Sequence, residues 1–155
     1  MTETANLTDA ATHELDGTGA ALLEIDAEEC LRLISPGGVG RVAFNAADGP
    51  AILPVNYRVV DGAIVFRIRA GGVMDRDLRT GMKNVDIKIA FEVDEIDPAR
   101  QEGWSVLVQG PFHQVTGDEV SWTADVPVRP WAGGTRDLYV RVTPVRVTGR
   151  RVRPV

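Results

Sequence analysis

Apolar and polar residues alternate along most of this sequence, in segments that extend from Val39 to Val147. Because successive side chains of a β-strand point to opposite faces of a sheet, a period of two predicts strands with one buried face. This alternation restricts the chain to a fold made mainly of β-strands. The clearest segment covers residues 86–93, and its apolar face consists of Ile87, Ile89, Phe91 and Val93.

Turn signals divide the alternating region into six predicted strands. The dipeptide Asp61-Gly62 separates two apolar runs and predicts a tight β-hairpin. Gly110-Pro111 predicts a bulge or a bend within the fifth strand, and Pro144 marks an edge or a bend in the sixth. The predicted strands cover residues 39–44, 51–59, 63–68, 86–93, 104–115 and 138–147.

Helices are predicted only in the connections. Asp26 and Glu29 form a capping box for a short first helix, which ends at Pro36, and residues 75–81 and 117–124 predict two further helical segments. Six strands with short turns favour a closed antiparallel barrel, because closure leaves no unpaired edge. We therefore expect a mainly β fold, a six-stranded antiparallel barrel with short connecting helices.

The length of 155 residues suits a single domain with its own core. Residues 1–20 are polar, acidic and without periodicity, which predicts a flexible N-terminal tail. Residues 21–155 show no internal repeat and no composition break. They are therefore predicted to form one domain.

Composition argues against several classes of partner. The net charge is −5, and no broad cluster of lysines and arginines follows a phosphate backbone, so nucleic-acid binding is not expected. No apolar stretch approaches the roughly 20 residues that span a bilayer. The N-terminus lacks the basic and apolar regions of a signal peptide, so we expect a cytoplasmic protein without membrane contacts.

The sequence contains no familiar catalytic or metal-binding motif. It has no nucleophile elbow, no HExxH or CxxC pair and no phosphate-binding glycine loop before a helix. Its single cysteine, Cys30, excludes an intramolecular disulfide and lies on the apolar face of the first helix. His13 and His113 have no partnering ligands nearby, so no metal site is predicted.

Arg67 and Arg69 form the most informative polar pair. Residues two apart on a strand share a face, so both guanidinium groups can point to one anion. Gly71 and Gly72 follow and allow the backbone to come close to a ligand. The alternative interpretation is a charged, solvated strand edge. Trp104 and Trp131 are interpreted either as packing residues or as groups that face a ligand.

The order of several segments resembles the pyridoxamine 5'-phosphate oxidase-like family. The match extends from about Leu22 to Val152 and is similar to the short actinobacterial-type members of this family. The resemblance implies a flavin-binding split β-barrel. The segments that carry it are GRVAF, PAILPVNYRVVDGAIVFR, IAFEVDEID, GWSVLVQG and PWAGGTRDLYVRVTPVRVTGRR.

The resemblance also implies a homodimer with two cofactor sites at the subunit interface. Flavin mononucleotide (FMN) is the usual ligand, and some relatives use a deazaflavin instead. The implied activity is that of an oxidoreductase that transfers hydride to or from a small organic substrate, with the redox chemistry supplied by the flavin. The alternatives are a non-catalytic protein of the same fold that binds flavin, deazaflavin or haem, and a domain that has lost its cofactor.

The cofactor contacts implied by the family come from four parts of the chain. Pro54, Val55, Asn56 and Tyr57 would lie along the isoalloxazine ring, and Arg67, Ile68 and Arg69 would contact the ribityl phosphate. Gly72, Val73 and Met74 would close over that phosphate. Trp104 and Ser105 would come from the partner subunit, and Trp131 and Arg136 would line the substrate side.

The sequence departs from the family pattern at two of these positions. Flavin-binding relatives place a hydroxyl near Ile68 and a basic residue near Met74, whereas both positions are apolar here. The strand that contains residues 51–56 also lacks the basic residues of those relatives. Two alternatives follow: either Arg69 or Arg76 replaces the missing phosphate ligands, or the site is weak, altered or empty. Pyridoxamine phosphate is not expected as the substrate.

Overall fold

The computed structural model describes residues 21–78, 87–116 and 128–154, and most of them lie in β-strands. The two helices of this part of the chain are α1 (Ala27–Ile34) and α2 (Val73–Leu78). The strands are β1 (Ala21–Ile25), β2 (Gly38–Ala46), β3 (Gly49–Val60), β4 (Ala63–Ile68), β5 (Ile87–Asp97), β6 (Glu102–Gln114), β7 (Leu138–Val142) and β8 (Arg146–Arg153).

Six of these strands close into an antiparallel barrel in the order β6, β5, β2, β3, β4 and β7, and β7 pairs back onto β6. The two remaining strands extend the sheet outside the barrel, because β8 pairs with β6 and β1 pairs with β8. The predicted six-stranded split β-barrel is confirmed.

The barrel is split because β6 changes neighbours along its length. Residues 103–109 of β6 pair with β8, and residues 112–114 pair with β7. Where the neighbours change, the Thr143 amide donates to the Pro111 carbonyl over 3.1 Å, and the Val145 amide donates to the Gln109 carbonyl over 2.8 Å. The single strand predicted over residues 138–147 is therefore wrong: this range contains the whole of β7, a crossing segment and the start of β8.

Other element boundaries also differ from the prediction. β1 was not predicted, and β5 continues to Asp97, although residues 94–102 were expected to form a connection. β6 pairs with β5 through Gly110 and Pro111 without an inserted residue, so no bulge lies there. α2 begins at Val73, and the predicted helix over residues 117–124 lies outside the described part of the chain.

The first helix follows its sequence signals. The Asp26 carboxylate accepts a 2.8 Å hydrogen bond from the Glu29 amide, and Cys30 and Ile34 are buried on the helix face that meets the barrel. Neither described helix is long and apolar enough to cross a membrane. The core centres on Phe91, whose ring lies 5.2 Å from that of Tyr57 and 5.8 Å from that of Phe66.

Candidate functional site

A gap between β3 and β4 creates the cavity that contains most of the predicted site residues. The two strands pair only from Tyr57 to Val60 on β3, although β3 pairs with β2 from Gly49 onward. The first half of β3 therefore diverges from the end of β4 and leaves a cavity of about 300 Å³. Its lining residues are Phe44, Ala51, Leu53, Pro54, Val55, Arg67, Ile68, Arg69, Gly72, Val73, Met74 and Arg136.

This β3–β4 cavity combines apolar residues with three cations. Ile68 and Met74 are buried, and Arg67, Arg69 and Arg136 supply the positive charge. Among the described residues that line the cavity there is no carboxylate, although the chain as a whole has a net charge of −5. The local charge is thus opposite to that of the whole chain, and it favours an anionic ligand.

Arg67 is held in place by neighbouring groups. Its guanidinium lies 5.0 Å from the centre of the Tyr139 ring, and its Nη1 donates to the Val128 carbonyl over 3.3 Å. Its Nε is buried and donates no hydrogen bond within the described residues. A guanidinium that is held in one orientation at the wall of a cavity is well suited to bind an oxyanion.

Arg136 is also anchored by the protein. Its Nη1 donates to the Ala132 carbonyl over 3.1 Å and to the Gly133 carbonyl over 2.9 Å. Arg136 therefore connects the 132–136 loop to the cavity, and Arg69 remains exposed at the edge. Arg67 and Arg69 both line the β3–β4 cavity, and their binding of one anion stays a prediction.

The turn after β4 holds its backbone close to the cavity. Gly71 has a positive φ of 69°, and its amide donates a 2.7 Å hydrogen bond to the buried Asp75 carboxylate. A Cβ atom on Gly72 would lie 3.1 Å from the Arg69 carbonyl oxygen. These contacts explain the glycine pair at the end of the strand.

A second cavity of about 490 Å³ lies beside the first and contains three more of the predicted residues. Trp131 is 82% exposed, and its amide donates a 2.9 Å hydrogen bond to the Asn56 side-chain oxygen. Arg58 and Arg129 supply two further cations that the sequence interpretation missed. The complete lining is Pro36, Gly37, Gly38, Asn56, Tyr57, Arg58, Val128, Arg129 and Trp131.

Tyr57 has a structural contact at the floor of this second cavity. Its hydroxyl donates a 2.8 Å hydrogen bond to the Ile34 carbonyl and so connects β3 to the end of α1. Burial raises the pKa of Tyr57 to about 12. Any contact between this residue and a ligand would involve its backbone or the rim of its ring.

We expect the free energy of unfolding to fall at alkaline pH because of Tyr57. An unfolded tyrosine ionises near pH 10, whereas folded Tyr57 ionises at about pH 12. Its contribution is complete below pH 10 and is lost as pH rises towards 12. Urea unfolding at several pH values should show this loss, and Tyr57→Phe should reduce it. An equal loss in the variant would contradict the assignment.

Trp104 and Ser105 lie away from both cavities. They lie near the start of β6, opposite Glu95 and Asp94 of β5. Trp104 packs against the core, and it lines a separate cavity of about 680 Å³ together with Leu33 and Arg151. Within one subunit, therefore, these two residues do not join the residues of the β3–β4 cavity.

Sequence analysis missed the part of the site that comes from apolar residues. Phe44, Ala51 and Leu53 line the β3–β4 cavity, but in the sequence they look like ordinary strand residues. Only the divergence of β3 from β4 reveals them. Among the described residues, no group of histidine, cysteine, aspartate and glutamate side chains could hold a metal ion.

Known proteins are similar to this chain over most of its length. A family model described as pyridoxamine 5'-phosphate oxidase matches residues 26–151. The uncharacterized protein Rv0080 of Mycobacterium tuberculosis is 35% identical over 131 residues, which cover 84% of this chain and 86% of that protein.

Solved structures share the fold. A candidate pyridoxamine 5'-phosphate oxidase of Corynebacterium glutamicum has a TM-score of 0.71 at 27% identity and covers 91% of this chain and 98% of its own. An FAD-binding protein of Mycobacterium smegmatis has a TM-score of 0.67 at 26% identity, with coverage of 84% and 97%. The family match and these likenesses show that this chain belongs to the pyridoxamine 5'-phosphate oxidase family.

Proposed function

We propose that this protein binds a flavin nucleotide, with the ribityl phosphate in the β3–β4 cavity beside Arg67. The Arg67 guanidinium, which lines the cavity and is held by the Tyr139 ring and the Val128 carbonyl, is the observation that carries the proposal. The FAD-binding M. smegmatis protein of the same fold supports it. FMN and FAD share this phosphate, and FMN is the ligand that we expect.

The other residues of the cavity fit the remaining parts of such a ligand. Arg69 and Arg136 add positive charge near the phosphate, and Ile68 and Met74 provide an apolar surface in place of polar ligands. Loss of one charge-assisted hydrogen bond costs roughly 1.5–3 kcal/mol. The third cation offsets part of that cost, so we expect binding in the micromolar range or tighter.

A cavity of about 300 Å³ is at the lower limit for small-molecule sites and can hold only part of a flavin. The rest of the ligand would extend over the surface beside Pro54 and Asn56. We therefore propose a homodimer in which a second subunit covers the ring and excludes water. Ser105, which lies outside the cavity in its own subunit, is a residue that a partner subunit would contribute.

We further propose that the protein is an oxidoreductase that acts by hydride transfer on a small organic substrate. The flavin supplies the hydride chemistry when bound, and the protein supplies orientation and electrostatics. This assignment requires no nucleophile or metal, which agrees with arginines and apolar residues as the lining of the cavity. The same lining also suits a protein that binds a flavin without turnover.

Titration of the protein, freed of ligand, with FMN and with FAD tests the binding. We expect saturable quenching of flavin fluorescence, at one flavin per chain, with an affinity in the micromolar range or tighter. Absence of saturation with both flavins would contradict the proposal, and deazaflavin and haem would be titrated next. Equal affinity for both flavins would indicate that the shared phosphate dominates recognition.

A second measurement separates an enzyme from a binding protein. Anaerobic addition of a reduced nicotinamide or a reduced deazaflavin to the loaded protein should bleach the flavin absorbance if hydride transfer occurs. A flavin that stays oxidised with both reductants would support binding without catalysis.

A further inference from the structure

The second cavity lies where the segment of residues 128–131 meets β3 and the turn after α1. Two hydrogen bonds place this segment. The Val128 carbonyl accepts from Arg67 Nη1 over 3.3 Å, and the Trp131 amide donates to the Asn56 side-chain oxygen over 2.9 Å. The segment therefore contacts residues of both cavities. A ligand in the second cavity would lie close to a flavin that is bound at Arg67 and extends past Asn56.

The side of this cavity that faces α1 is closely packed backbone. Gly37 has a positive φ of 76°, and its amide donates to the Ile34 carbonyl over 3.1 Å. A Cβ atom on Gly37 would lie 2.8 Å from the Tyr57 carbonyl oxygen and 3.1 Å from Cδ of Arg58. The turn after α1 thus lies directly against β3, and the cavity has a preformed floor.

Two arginines give the second cavity a positive charge. Arg58 and Arg129 both line it, and there is no carboxylate among its described lining residues. Arg58 Nη1 lies 3.5 Å from the Pro36 carbonyl oxygen, which keeps the guanidinium near the cavity. Because the whole chain has a net charge of −5, this local positive charge favours an anionic ligand.

The end of α1 limits the charge of that anion. The last carbonyls of a helix carry a partial negative charge, and α1 ends at Ile34, two residues before Pro36 in the lining of the cavity. A second negative charge on the ligand is therefore disfavoured. A planar guanidinium also matches a planar carboxylate through two parallel hydrogen bonds. We expect a carboxylate with one charge instead of a phosphate with two.

Trp131 provides a flat apolar surface beside these charges. Its side chain is 82% exposed, the largest exposure among the large apolar side chains of the described residues. Its backbone is nevertheless anchored by the hydrogen bond to Asn56. An indole on an anchored backbone can stack on a flat ring at little cost in conformational entropy. A ligand with both a ring and a carboxylate would use the indole and the two arginines together.

We propose that the second cavity is the substrate site and that the substrate is a flat, conjugated carboxylate. Its carboxylate binds Arg58 and Arg129, and its ring lies against Trp131. This inference rests on the proposed function, because only a flavin in the β3–β4 cavity makes a ligand of the second cavity a substrate. It adds the chemical class of that substrate and the residues that recognise it.

Calorimetric titration with benzoate and benzamide tests the recognition of the charge, since the two compounds have nearly the same shape. Benzoate should bind at least about tenfold more tightly than benzamide, both to FMN-free and to FMN-saturated protein. Acetate lacks the ring and should bind at least about tenfold more weakly than benzoate. Phenyl phosphate should bind no more tightly than benzoate.

Substitutions locate the binding of these probes. Arg58→Gln and Arg129→Gln should each weaken benzoate binding at least about tenfold and leave benzamide binding unchanged. Trp131→Ala should weaken the binding of benzoate but not that of acetate. The matched control is Arg32→Gln, which removes an exposed arginine of α1 that pairs with Glu29 over 2.6 Å and should keep the wild-type benzoate affinity. Thermal unfolding confirms that each variant is folded.

Four results would overturn the inference: equal affinities for benzoate and benzamide, arginine variants that bind benzoate like the wild type, tighter binding of phenyl phosphate, or competition between benzoate and FMN. Competition would mean that the second cavity holds the flavin itself. If FMN binds and benzoate fails these tests, the substrate class is wrong and the flavin stands. If benzoate passes them in FMN-free protein and no flavin binds, the carboxylate site stands and the proposed function is wrong.

Discussion

Arg67→Ala is expected to weaken flavin binding at least about tenfold while leaving the fold intact. Removal of a charge-assisted hydrogen bond costs roughly 1.5–3 kcal/mol, which is about one to two decades of affinity. The variant also loses the contact with the Tyr139 ring and the hydrogen bond to the Val128 carbonyl. These interactions lie at the rim of the barrel, so we expect only a small change in the free energy of unfolding.

Two comparison variants give this experiment its controls. Arg32→Ala removes an exposed arginine of α1 that pairs with Glu29 over 2.6 Å and lines neither cavity, and it should keep the wild-type flavin affinity. Arg67→Lys keeps the charge but loses the planar fork of donors, so its affinity should lie between those of Arg67→Ala and the wild type. Fluorescence titration measures all three variants under the same conditions.

An unchanged flavin affinity in Arg67→Ala would contradict the placement of the phosphate in the β3–β4 cavity. Equal losses in Arg67→Ala and Arg32→Ala would indicate a general effect of charge on binding. Thermal unfolding of both variants distinguishes a lost ligand contact from a damaged barrel. Only a loss specific to Arg67, in a protein that unfolds like the wild type, supports the assignment.

Local signals were sufficient to predict the arginine pair and the turn beside it. Arg67 and Arg69 are two residues apart on a strand, and Gly71 and Gly72 follow at once, so their proximity depends only on strand geometry and a short turn. Both arginines line the cavity that also contains Gly72. Such features are independent of how distant strands pack.

Features that depend on distant strands could not be predicted in the same way. β1 is mostly exposed and shows no apolar alternation, and its partner strand β8 is rich in arginine. The end of β5 was interpreted as a connection because residues 94–97 are mainly polar, yet they complete a hairpin with β6. In each case the pairing strand, and not the local composition, determines the structure.

The separation of Trp104 from the β3–β4 cavity also depends on strand pairing that the local sequence does not show. The family resemblance implied that Trp104 contacts the cofactor from a partner subunit, and this stays a prediction. In its own subunit the residue packs against the core near α1. Ser105, whose side chain alternates to the other face of β6, points away from the core.

Gly110→Ala is expected to destabilise the protein by about 3 kcal/mol, a large effect for the addition of one methyl group. Gly110 lies where β6 changes its neighbour from β8 to β7. A Cβ atom at this position would overlap the Thr143 carbonyl oxygen and lie close to the Val145 amide. Both atoms belong to the backbone of the segment that crosses β6, so no side-chain rotation relieves the overlap.

Urea unfolding of Gly110→Ala and Gly133→Ala tests this explanation. A Cβ atom on Gly133 would meet nothing within 4 Å, so that control variant should stay within about 0.5 kcal/mol of the wild type. Two amide hydrogen bonds, to the carbonyls of Gln109 and Pro111, hold the crossing segment against β6. Relief of the overlap would require breaking at least one of them.

A small effect of Gly110→Ala would mean that the crossing segment can move away from β6 at little cost. The pairing of β6 with two different strands would then not depend on close backbone contact. A large effect would show that the split in the barrel is set by this contact. β3 and β4 belong to the same closed barrel of six strands as β6. The divergence of β3 from β4 should then also be fixed by the barrel and persist without a ligand.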